Sequence, residues 1–192
     1  SLLKDGNSRA VENEILASKI CRCFDCRQVL YEESIFDGQK VSKSRIITSV
    51  DYSMVSMEAF EIYAANHDIH VMDFVLKLDA YSYYMMNLLD YLTGNTDRHW
   101  GNWGFLVDNL TNQPVRLFDL MDFNQTFLAY DTIEGANCMT TGNRKMSQRE
   151  AAVEAVKIIG LNQRDEIKDE WFEGRDKERE MFWNRVGILK EQ

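Results

Sequence analysis

Apolar positions recur with a helical period over residues 10–24, "AVENEILASKICRCF". Val11, Ile15, Leu16, Ile20 and Cys23 or Phe24 share one face there, which predicts an amphipathic helix with Ser8 as a candidate N-cap. "RQVLYEESI" (27–35) then reads as a strand. Asp37 and Gly38 turn the chain into a second strand, "QKVSKSRIIT" (39–48), which makes a short hairpin. The 3.6-residue period returns from Met54 to about residue 66 and again over 70–92. The latter run is apolar around most of its circumference, as expected of a central helix.

The pattern breaks at the polar stretch "GNTDRHWGN" (94–102). Two short strands follow, "WGFLV" (103–107) and "VRLFDLM" (115–121), joined by a turn through "DNLTNQP". An irregular Gly, Asn and Thr segment leads to Ser147 and Glu150, a capping box that opens a helix ending at Gly160. The charged C-terminal segment still carries Trp171, Phe172, Phe182, Trp183, Val186 and Leu189, enough apolar surface to dock as one or two helices.

Composition narrows the function classes. The chain has 192 residues, 45% of them hydrophobic and 11% aromatic, sufficient for a core of one domain or two small lobes. A net charge of -9 argues against nonspecific binding to nucleic acid or to an anionic membrane, and no run reaches the roughly 20 apolar residues of a membrane span. The four cysteines, Cys21, Cys23, Cys26 and Cys138, lack the spacing of a secreted disulfide scaffold, and no signal peptide is evident, so a reducing, cytoplasmic setting is expected.

The chemistry concentrates after the central helix. Asp97 and Asn102 lie five positions apart in one loop, and a hairpin later come Asp119 and Asp122. Phosphoryl transfer needs such a set: one carboxylate to accept or orient the proton of an attacking hydroxyl, and an amide oxygen with a second carboxylate to hold Mg2+ against nucleotide phosphates.

"NTDRHWGNWGF" followed by "LFDLMDFNQTF" resembles the catalytic and metal-binding segments of the HipA-like serine/threonine kinases and, more distantly, of phosphatidylinositol kinases. In the D-x-H-x-x-N pattern the matching residues are Asp97, His99 and Asn102. The resemblance implies Asp97 as catalytic Asp, Asn102 as a Mg2+ ligand, and Asp122 as second ligand with Asp119 as the alternative. His99 would brace the loop or shuttle a proton. "LLKDGNSRAVENEILASKI" resembles the phosphate-contacting Lys and its helix partner, which implies Lys4 and Glu14 as cofactor-binding residues.

The implied fold is α+β and protein-kinase-like, with a truncated N-lobe (1–50) and a mainly helical C-lobe (51–192). The implied cofactors are ATP and Mg2+, and the implied partner is a protein substrate or a regulatory protein. The glycines at 94–104 flank Asp97 and Asn102 rather than open a helix, so they are no substitute for a Gly-rich phosphate loop, which is expected upstream of Ser1. The alternative function is therefore a noncatalytic kinase-like module of the toxin-antitoxin type that binds a partner protein.

Other motifs read more plainly. Cys21, Cys23 and Cys26 lack a fourth zinc ligand at normal spacing and read as thiols; His67, Asp68 and His70 mark a helix junction; "DNLTNQ" lacks the central Gly and terminal Glu of a calcium loop. Arg98 is open to either of two readings, a phosphate or acid contact or a solvated side chain.

Overall fold

A computed structural model describes residues 1–4 and 6–192. Strand β1 (Leu2–Lys4) precedes helix α1 (Ser8–Cys21), followed by β2 (Tyr31–Phe36) and β3 (Gln39–Ser44). These strands form an antiparallel sheet in the order β1-β3-β2, with Lys4 opposite Ser42. Asp37 and Gly38 both take positive φ, 49° and 73°, as a two-residue hairpin turn requires. The N-cap of α1 is Asn7 rather than Ser8. Asn7 has extended backbone and its side chain accepts from the Ala10 N–H at 2.8 Å, whereas the Ser8 hydroxyl turns to Glu12.

The second sheet is β4 (Tyr52–Ser56), β5 (Gly104–Asp108) and β6 (Gln113–Leu117), antiparallel in that order. β4 corrects the helix expected from Met54. Met54 and Val55 pair with Leu106 and Phe105, and Ser56 then caps α2 (Met57–Ala65) through the Ala59 N–H, so the helical period had been read across a strand-to-helix junction. A Cβ on Gly104 would lie 2.0 Å from the Val55 carbonyl oxygen, so only glycine permits this strand pairing.

Helix α3 (Val71–Thr93) is not continuous. Asp79 leaves helical geometry (φ -155°, ψ 63°), and its carboxylate accepts from the Ser82 N–H, the Leu117 N–H and Arg27, so it caps the second half of the helix and pins β6 to it. That second half is fully buried around Leu88, Leu89, Tyr91 and Leu92 and ends at Gly94 in the left-handed region (φ 60°), where a Cβ would strike the Tyr130 ring.

Helix α4 (Gln148–Ile159) begins with the expected capping box and stops at Gly160. A short 3-10 turn (Asp169–Phe172) and α5 (Asp176–Lys190) close the chain against α3, with Phe172, Phe182, Val186 and Leu189 in the core. No helix is long and apolar enough to cross a membrane among the described residues.

Candidate phosphotransfer site

Two β-type contacts bring the first sheet's flank to the segment that carries Asp119 and Asp122: the Val29 N–H donates to the Leu120 carbonyl at 2.9 Å, and the Leu120 N–H to the Arg27 carbonyl at 3.0 Å. β2 and β6 are correspondingly shorter than expected. β2 starts at Tyr31, and β6 ends at Leu117, so Asp119 and Asp122 stand beyond the strand in irregular chain. Asp122 adopts φ 60°, in the left-handed region that Asp tolerates better than most residues.

The Lys4 ammonium ion-pairs with Asp122 and lies 3.4 Å from Glu14 Oε1. Glu14 is buried, and its other oxygen accepts from the Ser42 hydroxyl at 2.5 Å. β1, α1, β3 and the segment after β6 thus converge on one cation. Burial pulls the Lys4 pKa down, but the hydrogen bond to Asp122 and the charges of Glu14 and Asp122 outweigh it and leave the pKa raised. The Asp122 N–H donates to the Tyr31 hydroxyl at 3.2 Å, and burial pushes the Tyr31 pKa up.

Asp97 and Asn102 meet within their loop. Asn102 Nδ2 donates to the Asp97 carbonyl at 2.7 Å and to its carboxylate at 3.3 Å, which leaves the Asn102 side-chain oxygen without a hydrogen bond among the described residues. His99 Nε2 stands 3.8 Å from the Asp97 carboxylate, and its Nδ1 accepts from the Gly101 N–H at 3.0 Å. Asp119 pairs instead with Arg116 at 2.6 Å, in a small cavity that Asn102 also lines.

Arg98 and Asn95 join these groups. Of the two readings of Arg98, the acid contact holds and the solvated one does not: it is 3% exposed and grips Asp90 at 2.9 and 3.1 Å. The same guanidinium donates to the Asn102 carbonyl at 2.9 Å and to the Met121 carbonyl, so it ties the Asp97 loop to the Asp122 segment. Burial lowers the Arg98 pKa and Asp90 raises it, with a net rise. Asn95 adds a second tie, donating to Asp90 at 3.0 Å and to the Asp122 carbonyl at 3.4 Å while accepting from the Asp97 N–H at 3.2 Å. The signal available was Asp90 itself, an acid inside the apolar run "LLDYL", which needs a buried partner.

Asn13, beside Glu14 on α1, is fully buried. Its amide donates to the Thr126 carbonyl and accepts from Arg175, both at 2.7 Å. Asn124 carries a buried side-chain oxygen with no partner among the described residues and borders the small cavity shared by Lys4, Glu14 and Ser42.

The remaining motifs take structural places. Cys21, Cys23, Cys26 and Cys138 are free thiols, and no group of three or more His, Cys, Asp or Glu among the described residues could hold a metal ion. His67 stacks on Tyr63, His70 caps α3, and Asp108 accepts from the backbone of Leu110 and Thr111 to form the β5–β6 turn.

No family model matches the chain, and no curated protein matches it. Among solved structures it is similar to a proinflammatory kinase of Helicobacter pylori, CtkA, with a TM-score of 0.66 and 14% identity over 98% of this chain and 86% of that one. A likeness at that identity speaks for architecture: the chain has a kinase-like α+β fold.

Proposed function

We infer that the chain is an ATP- and Mg2+-dependent phosphotransferase, a HipA-like kinase that acts on the hydroxyl of a protein Ser or Thr in a reducing, cytoplasmic setting. The observation that carries this reading is the convergence of Lys4, Glu14 and Asp122, 118 positions apart at the extremes, on a kinase-like fold.

The donor types, a carboxylate and an amide oxygen, are those a hard cation takes. The Asp122 carboxylate already attracts a cation in Lys4, and the side-chain oxygen of Asn102 is left over once its amide is committed to Asp97. Asn102 and Asp122 would hold Mg2+, which supplies charge neutralisation at the phosphates when bound. Asp119, which pairs with Arg116 and lines a cavity with Asn102, is the alternative second ligand. Lys4, held by Glu14, contacts the phosphates as a point charge, and Asp97 orients the acceptor hydroxyl and takes its proton. Arg98 and Asn95 fix the spacing between the Asp97 loop and the Asp122 segment, so catalysis rests on positioning.

One observation favours the noncatalytic reading instead: the Lys4 ammonium sits on Asp122 itself, closing the carboxylate with an internal cation. Thermal shift with ATP and Mg2+ decides. The phosphotransferase reading expects metal-dependent stabilisation of the chain and its loss in Asp122→Asn, followed by transfer of labelled phosphate to protein. A folded chain that responds to neither ligand refutes it.

A further inference from the structure

A groove of about 530 Å3 opens beside the Asp97 loop, between α2, the start of α3 and the chain around Thr141 to Arg144. Its volume lies within the range of small-ligand sites, roughly 300–1,000 Å3. Ile69, Val71 and Met72 supply apolar wall, and Trp100, three residues after Asp97, forms the end nearest the loop. The indole N–H of Trp100 donates to the Met139 carbonyl at 3.0 Å, so that wall is fastened to the far side. α2 is attached to the same loop: the Glu58 N–H donates to the Trp100 carbonyl at 3.0 Å and the Met57 N–H to the Trp103 carbonyl at 2.8 Å.

The ionisable groups give the groove a sign. Arg144 is neutralised by Glu154 through both guanidinium nitrogens, and His70 is paired with Asp73 at 3.1 Å. Glu61 in the wall and Glu58, whose carboxylate lies beside Gly101, have no cationic partner among the described residues. A second copy of this chain, itself at net charge -9, is electrostatically the wrong occupant.

We propose that this groove seats an extended segment of the phosphoryl-acceptor protein, one that combines apolar side chains for the Ile69, Val71 and Met72 wall with a basic residue for Glu61 and Glu58, and so leads its hydroxyl to Asp97. This rests on the phosphotransferase reading and names the substrate class it takes.

The test is calorimetric titration of the intact chain, without nucleotide or metal, with a short Ser peptide bearing Arg and Leu residues and with its Glu-for-Arg counterpart. Saturable binding of the basic peptide is expected, weakened about tenfold or more by Met72→Lys, which puts a charge of the peptide's own sign into the apolar wall. Glu61→Lys, on the exposed face of α2, shifts preference to the acidic peptide even if Met72→Lys fails to fold. No saturable binding, equal binding of both peptides, or self-association abolished by Met72→Lys overturns the proposal. Because ATP and Mg2+ are absent, this outcome is independent of the thermal-shift result: a chain that responds to ATP and Mg2+ but binds neither peptide loses only the groove.

Discussion

Replacing Arg98 with Met tests whether one buried guanidinium holds the two halves of the site together. Arg98 and Asp90 have side chains only 3% and 5% exposed, so the substitution strands a carboxylate away from water and removes donors from the Asn102 and Met121 carbonyls. Breaking a buried pair on one side costs about 3–5 kcal/mol. In a domain of this size each kcal/mol moves the midpoint by about 2–4 °C, so a fall of roughly 6–20 °C is expected in calorimetry. The Arg98→Met, Asp90→Leu double variant should recover much of that loss, because neither charge is then left unpaired. A single variant within about 1 kcal/mol of the parent, or a double variant as damaged as the sum of the singles, would refute the claim that the pair is desolvated and shared. The double variant separates fold from function: the carbonyl ties remain broken, so ATP- and Mg2+-dependent stabilisation should stay weak after the melting temperature recovers.

Asn13→Ala should destabilise by about 2–4 kcal/mol in urea unfolding, since it leaves the buried Arg175 and the Thr126 carbonyl each short of a partner. Gly104→Ala should yield little folded protein by circular dichroism, because its Cβ would enter the Val55 carbonyl and separate β4 from β5. Burial pushes the Cys26 thiol and the Tyr81 phenol each up to about 12. The unfolded chain ionises these groups first, so their contribution to stability is present below about pH 9 and is lost as pH rises towards 12. Denaturant midpoints that stay flat from pH 9 to 11.5 would contradict that environment, as would rapid alkylation of Cys26 at pH 7.

The legible part of this molecule was what short-range chemistry dictates. Gly38 and Gly160 turn or end elements because the chain there needs positive φ, and Ser147 with Glu150 caps α4 by a bond pattern confined to four residues. The D-x-H-x-x-N loop was read by resemblance; within it Asn102 bonds the Asp97 carbonyl and carboxylate, a contact spanning five positions. β4 was hidden because "MVSMEAF" satisfies a helical period, and only the neighbouring β5 edge makes the first part of it a strand. The kink at Asp79 was hidden because its cause, the Leu117 N–H and Arg27, comes from distant chain.

Candidate roles for Asp122 and Lys4 could be assigned by resemblance, but not the residues that make their meeting geometrically possible. Asn95 and Arg98 fall inside the quoted loop and look like ordinary polar turn residues. Their function is set by Asp90 on the preceding buried helix turn and by carbonyls at Met121 and Asp122, more than 20 positions away. The polar loop after α3 therefore faces two ways. The Asp97 carboxylate is partly exposed, while Asn95 and Arg98 turn inward to satisfy a buried acid, and on the proposed phosphotransferase reading that inward half sets the distance at which Asp97 and Asn102 would work.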